Sequence, residues 1–325
     1  MEAKVVDMES RGSVNLARRR ALGVSAGARC DDTTGPRVSC PCAVSSAEKR
    51  EGCRVSESRE TLLQRAWGAD KPVFGGWCII PSPLSAEVIA QQPFDWVGID
   101  WQHGFIDFER TASMVQSISV GGAFPLVRVT ANEPWIIMKA LDIGAAGVIV
   151  PLVNNRAEAE RAVEASFYPP IGGRSFGPVR NAPSIGVEPD EANERVACFV
   201  MIETRQGFED IDAICATPGL TGVFIGPDDL RLSMGAPKGD PDPVVIDRVL
   251  DACRSNGIVA GIHTGSGDIA HTRAAQGFRL IAIGSDADFL ADSASAAMAA
   301  ARPEGATETL SATNDTVQAV VWSGL

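Results

Sequence analysis

The stretch DWVGIDWQHGF (95–105) begins like a buried strand and ends in Asp100, Gln102 and His103, the last being one of three histidines in the chain. Similar endings recur downstream. Arg128 stands next to last in PLVRV, Glu203 next to last in ACFVMIET, and Asp228 and Asp229 follow VFIG in GPDD. An acid pair made of Glu203 with Asp228 or Asp229 can hold a hard divalent cation that keeps several waters. The planar fork of Arg128 suits a substrate carboxylate or a developing oxyanion. A histidine such as His103 can move a proton when an acid orients it. Lewis acid, guanidinium and base together are the equipment for drawing an enolate from a 2-oxo acid.

These groups act together only if the fold brings them together. From residue 61 onward, short apolar runs alternate with amphipathic segments. The expected strands are 73–80, 95–100, 124–129, 147–153, 197–204, 220–226, 258–264 and 280–285. They are continuously apolar, as in parallel strands covered on both faces. Helical patterns follow at 85–92, 108–118, 134–144, 156–166, 207–216, 243–257, 267–277 and 288–302. Pro134 stands at a first-turn position, and Asn256-Gly257 reads as a helix stop. Eight such units in residues 61–302 predict an α/β fold, a (β/α)8 TIM barrel, in preference to an open doubly wound sheet. The site of such a barrel lies at the C-terminal strand ends. There the pattern gathers Asp100, His103, Arg128, Pro151, Glu203, Thr204, Arg205, Asp228, Asp229, His263, Ser285 and Asp286. The long segment 168–193 between the fourth and fifth strands has no regular pattern, and its placement stays open.

Composition narrows the partners. The net charge of −12 argues against nucleic acid and anionic membranes and leaves small molecules. No apolar run is long enough to span a bilayer, and residues 1–10 lack a secretory pattern, so the expected location is cytoplasmic. Residues 1–60 are expected to form a disordered extension, with VNLARRRAL (14–22) as a short basic helix and SCPC (39–42) as weak grounds for a metal site. Residues 303–325 are expected to be a loose tail in which VQAVVW (317–322) could dock. Cys78, Cys198, Cys215 and Cys253 lie in apolar runs and read as small core residues. The five lysines (Lys4, Lys49, Lys71, Lys139 and Lys238) all avoid the ends of the expected strands. A Schiff-base mechanism needs a lysine there, so C–C chemistry in this chain points to a metal.

The motifs FGGWCIIPSP, FDWVGIDWQHG, PLVRV, KALDIGAAGVIVPLV, YPPIGGRSFGP, IETRQG, GVFIGPDDL and AIGSD, in this order over residues 62–302, resemble the HpcH/HpaI aldolase/citrate lyase family. Within it the chain is similar to metal-dependent 4-hydroxy-2-oxoheptanedioate and 2-keto-3-deoxy sugar-acid aldolases. The resemblance implies a (β/α)8 barrel in a homo-oligomer, commonly a hexamer that exchanges a C-terminal helix. It implies a class II aldehyde-lyase that reversibly cleaves 4-hydroxy-2-oxo acids to pyruvate, or a related 2-oxo acid, and an aldehyde. The reaction would pass through a metal-stabilised enolate with Mg²⁺, Mn²⁺ or Co²⁺. It implies Glu203 and Asp229 as metal ligands, with Asp228 turned away from the metal. Arg128 would steady the enolate, and His103 with Asp142 as its acidic partner would move the proton. Asp100 and the loop Gly226, Pro227, Asp228 would contact substrate, and Arg174 and Ser175 in GGRSFGP would approach it. Met201 stands where some members carry Gln, so a hydrogen bond to substrate is missing there. Two other readings compete: a lyase for a CoA thioester or phosphorylated substrate, with HTGSGD (263–268) cradling phosphate, and a barrel without catalysis that serves as a binding protein.

Overall fold

The computed structural model describes residues 61–181, 185–237 and 242–302. The expectations for residues 1–60 and 303–325 lie outside the described residues. Eight parallel strands close into a barrel in sequence order: β1 (Val73–Cys78), β2 (Trp96–Asp100), β3 (Phe124–Arg128), β4 (Gly147–Val150), β5 (Ala197–Ile202), β6 (Gly222–Ile225), β7 (Val259–His263) and β8 (Leu280–Ser285). The ring closes through β1 and β8, where Val73 pairs with Leu280. The (β/α)8 expectation holds.

Around the ring run α1 (Leu62–Gly68), α2 (Pro83–Ala90), α3 (Phe108–Gly121), α4 (Pro134–Asp142), α5 (Arg156–Ser166) and α6 (Pro189–Arg195). They are followed by α7 (Arg205–Glu209), α8 (Ile211–Cys215), α9 (Pro227–Ser233), α10 (Pro243–Asn256), α11 (Gly267–Gln276) and α12 (Asp286–Ala301). The pattern expected over 207–216 is two short helices that meet at Asp210. Elsewhere the caps explain the boundaries. Asp107 accepts from the amide of Arg110 to start α3, and Gly257 (φ 66°) ends α10 in the left-handed conformation that glycine adopts without a Cβ penalty.

Every residue of β2, β5 and β6 is buried because each strand is covered twice. Outward residues such as Val97, Ile99 and Val127 pack against the helices. Inward residues such as Trp77, Trp96, Leu126, Phe199 and Phe224 fill the barrel. Each large apolar side chain buried this way contributes roughly 1.5–3 kcal/mol. Two tryptophans fit inside because glycines face them. A Cβ on Gly75 would come within 2.2 Å of the Trp96 ring, and one on Gly98 within 2.6 Å of Trp77. The N-terminal end of the barrel is stoppered by α1. Leu63 is buried there, and Trp67 meets Phe199 edge-on at 5.7 Å while donating to the Arg279 carbonyl. The free cysteines Cys78, Cys198, Cys215 and Cys253 are all buried, as expected of core residues. Burial pushes the Cys198 thiol up to about 12. Among the described residues no helix is long and apolar enough to cross a membrane.

Candidate active site at the barrel mouth

Strand parity aims the polar residues inward. In β3, Leu126 points into the barrel, so Arg128 does too; in β2, Trp96 points in, so Asp100 follows. The register sets Asp100 and Arg128 side by side as Cα partners. Their pairing is bidentate: Arg128 Nε donates to Asp100 Oδ1 at 2.9 Å, and Nη2 donates to Oδ2. Trp77 Nε1 donates to Oδ2 at 3.2 Å, and the amides of Gln102 and His103 donate to Oδ1 at 3.1 and 3.0 Å. Burial pushes the Asp100 carboxyl up, but the charge and hydrogen bonds of Arg128, the His103 amide and Trp77 outweigh it. The net shift is below the ordinary value.

Arg128 faces a cleft lined also by Trp77, Met201, Phe224, Gly226, Pro227, Asp228, Asp229 and His263. Its guanidinium carbon lies 5.3 Å from the Trp77 ring, within cation–π range. Glu203 follows β5 and is only 2% exposed. One oxygen, Oε1, accepts from the amide of Leu152 at 2.6 Å. Leu152 makes that contact from a left-handed backbone (φ 55°), an uncommon conformation for a branched side chain and one that clusters at functional sites. The other oxygen, Oε2, borders the cleft at Gly226, where a Cβ would sit 3.0 Å away. Burial raises the Glu203 carboxyl above its ordinary value. The Leu152 amide and Arg128 oppose this, while Asp229 and Asp100 add to it.

The structure therefore brings together Arg128, Glu203, Gly226, Pro227, Asp228 and Asp229. Asp228 lines the cleft as well, with Oδ1 3.7 Å from Arg231 Nη2. Three expectations need correction. Asp100 is fully buried, with its oxygens already engaged, and it acts on the cleft through Arg128. His103 is exposed on the rim beside β2, but Asp142 is not its neighbour within the chain. Asp142 ends α4, the helix that runs back from the mouth to the start of β4, so the two residues stand at opposite ends of the barrel. The Asp142 carboxylate instead accepts from Arg174 Nη2 at 2.7 Å. Arg174 and Ser175 are at that same far end. The segment after α5 folds under the barrel, where the Arg180 amide donates to the Asp142 carbonyl and the Arg174 guanidinium stacks on Tyr168 at 4.6 Å.

Trp77, Met201, Phe224 and His263 complete the cleft. Sequence reasoning placed His263 on the rim without a role and noted Met201 only as a departure from the family pattern. It missed Trp77 and Phe224. Parity was the available signal, because each lies on the inward row of its strand. His263 meets Trp77 edge-on at 5.6 Å. Burial, together with the nearby Arg128, lowers its imidazole to about 4. The HTGSGD segment is occupied with its own turn: Ser266 caps α11 by accepting from the Ile269 amide, and the Thr264 hydroxyl donates to the Ala282 carbonyl at 2.8 Å. Among the described residues, Arg128 is the only basic side chain lining the cleft other than the imidazole of His263, which does not favour a phosphorylated substrate.

An inward arginine beside two acids at the mouth of a (β/α)8 barrel defines a class of site before any relative is considered. The comparisons agree with it. Residues 74–293 match the model of the HpcH/HpaI aldolase/citrate lyase family, and the chain belongs to that family. It is 40% identical over 248 residues to a hydroxypyruvate/pyruvate aldolase of Rhizorhabdus wittichii, covering 74% of this chain and 98% of that one. It is 33% identical over 230 residues to a 5-keto-4-deoxy-D-glucarate aldolase of Shigella dysenteriae, covering 69% and 90%. A solved family member from Burkholderia cenocepacia superposes with a TM-score of 0.67 at 31% identity, covering 74% of this chain and 98% of that structure. The chain is thus an enzyme of an aldolase and lyase family that acts on small molecules.

Proposed function

We propose that the protein is a class II aldolase that reversibly cleaves 4-hydroxy-2-oxo acids to pyruvate, or a related 2-oxo acid, and an aldehyde. The observation that carries this reading is the cleft itself, where Arg128 is already paired with Asp100 and three further carboxylates, Glu203, Asp228 and Asp229, gather beside it. The donor set fits a hard divalent ion such as Mg²⁺, Mn²⁺ or Co²⁺. Glu203 and Asp229 would hold it, and two protein carboxylates with water completing the shell suit such an ion. Glu203 supports the fit because burial outweighs the Leu152 amide and the charge of Arg128 and holds its carboxyl above the ordinary value. A cation bound there supplies Lewis acidity toward the 2-oxo group.

The chain's own residues do the rest. Arg128, locked in orientation by Asp100, holds the substrate carboxylate or the oxygen that gains negative charge as the C–C bond breaks. Gly226 leaves room for substrate beside Glu203. His103 stands on the rim, where it can pass a proton between substrate and solvent. Its pairing with Asp142 requires a second copy of the chain, with the far end of one barrel presented to the mouth of another, and so accords with a homo-oligomer.

Exchange of the pyruvate methyl protons with deuterated water tests this reading without knowledge of the aldehyde. Enzyme supplied with Mg²⁺ should exchange them, and EDTA should stop it. Full exchange after exhaustive chelation would remove the cation from the proposal. No exchange in the metal-supplied enzyme would remove the aldolase.

A further inference from the structure

Part of the cleft lining is aromatic. Trp77 stacks on Phe224 with centroids 5.8 Å apart and planes within 19°, and His263 closes the corner edge-on to Trp77. One atom does not belong in such a wall. His263 Nε2 is buried and, among the described residues, has no hydrogen-bond partner. Buried polar groups are nearly always satisfied, and an orphan next to a substrate cleft calls for a ligand group. The imidazole is carried by the last residue of β7, whose Cα pairs with Ala282 of β8. Met201, on β5 two strands away, offers the cleft only a thioether.

On the reading proposed above, Arg128 and a cation held by Glu203 and Asp229 would take up the oxygens of the 2-oxo acid. Its third carbon then faces Trp77, Phe224 and His263. A methyl group there leaves the imidazole nitrogen unsatisfied. A hydroxyl group satisfies it in either imidazole tautomer, because a hydroxyl both donates and accepts. A second carboxylate is disfavoured, since Asp228 and Asp229 line the same cleft. We propose that His263 is a specificity-determining residue that hydrogen-bonds a hydroxyl on C3 of the 2-oxo acid, so that 3-hydroxy-2-oxo acids are preferred to unsubstituted ones as the enolate-forming partner.

The test compares C3 proton exchange of hydroxypyruvate and of pyruvate in deuterated water with Mg²⁺, for the wild-type enzyme, His263→Phe and His263→Asn. The ratio of the two kcat/KM values should fall at least tenfold in His263→Phe, which keeps the ring and loses the nitrogens, and less in His263→Asn. A ratio within twofold of wild type in both variants overturns the proposal. A second measurement does not depend on variants that fold or on turnover. In the ¹⁵N-histidine spectrum of the wild-type protein, the His263 Nε2 resonance should move on adding hydroxypyruvate and stay in place on adding pyruvate. Equal responses to the two acids overturn the proposal. If the wild type exchanges neither acid yet Nε2 responds to hydroxypyruvate alone, the aldolase reading fails and the recognition by His263 stands.

Discussion

Two arginine–aspartate pairs lie at opposite ends of this barrel, and burial assigns their members opposite duties. At the mouth, Asp100 is fully buried and Arg128 has 7% of its side chain exposed, facing the cleft. At the far end Arg174 is fully buried, and Asp142 keeps 27% of its side chain exposed. Each pair is backed by an aromatic ring under the guanidinium, Trp77 in one and Tyr168 in the other. The hidden member holds and the exposed member is presented. The mouth therefore presents a positive charge, which suits a carboxylate or oxyanion. The far end presents a negative charge, which suits an imidazole. The same residue types at two places carry different chemistry because a different partner is desolvated.

The contrast is broken most directly at the mouth. Arg128→Met should lower pyruvate exchange by about 10²–10³-fold, as expected for losing one charge-stabilising donor. It should also cost about 3–5 kcal/mol of stability, because Asp100 is left buried and unpaired. Exchange assays on protein shown to be folded separate the two effects. A folded Arg128→Met enzyme with undiminished exchange would leave the mouth pair with a structural duty only.

The presented carboxylate at the far end gives the next test. His103→Ala and Asp142→Ala should each lose about 10²-fold in exchange, the scale of a lost acid–base group. If the pairing forms between chains, mixing and reassociating the two inactive proteins restores activity, since some interfaces then combine an intact His103 with an intact Asp142. No recovery from reassociated mixtures would mean that His103 works without Asp142. Arg174→Met has a smaller expected effect. It removes a charged hydrogen bond worth about 1.5–3 kcal/mol, seen as a fall in Tm of roughly 2–4 °C per kcal/mol.

What could be read from the sequence divides along the same lines. The eight strands were legible because both faces of each are buried, which writes them as unbroken apolar runs. The far end was not. The Arg174–Asp142 contact depends on the path of an unpatterned segment, and nothing local in GGRSFGP or ALDIGA says that these residues meet. Three helices, α1, α6 and α9, escaped notice because seven residues are too few for an amphipathic period to show. In the mouth, end-of-strand position located Arg128, Glu203 and Asp229. It did not separate the groups that face the cleft from those that support them. Parity would have added Trp77 and Phe224. It could not show that Asp100 spends its oxygens on Arg128, because that depends on the register between β2 and β3.

The smallest predicted effect concerns the two buried acids of the mouth, which respond to pH in opposite senses. Asp100 sits below its ordinary value, so its contribution is present above the unfolded carboxylate range and is lost as pH falls through its lowered pKa. Glu203 sits above its ordinary value because burial disfavours its charge. In metal-free protein the folded state then binds the Glu203 proton more tightly than the unfolded chain does. Stability should fall as pH rises from about 4.3, the ordinary glutamate value, and level off once the folded-state pKa is passed. Glu203→Gln keeps an acceptor for the Leu152 amide and removes the charge. Its Tm should exceed that of the wild type above this window, and the difference should close as pH is lowered into it. Asp286 is also raised by burial, but it is common to both proteins and cancels in the difference. A gap between the two melting curves that is the same at every pH would show that Glu203 carries no burial penalty, and the best argument for a cation beside it would be lost.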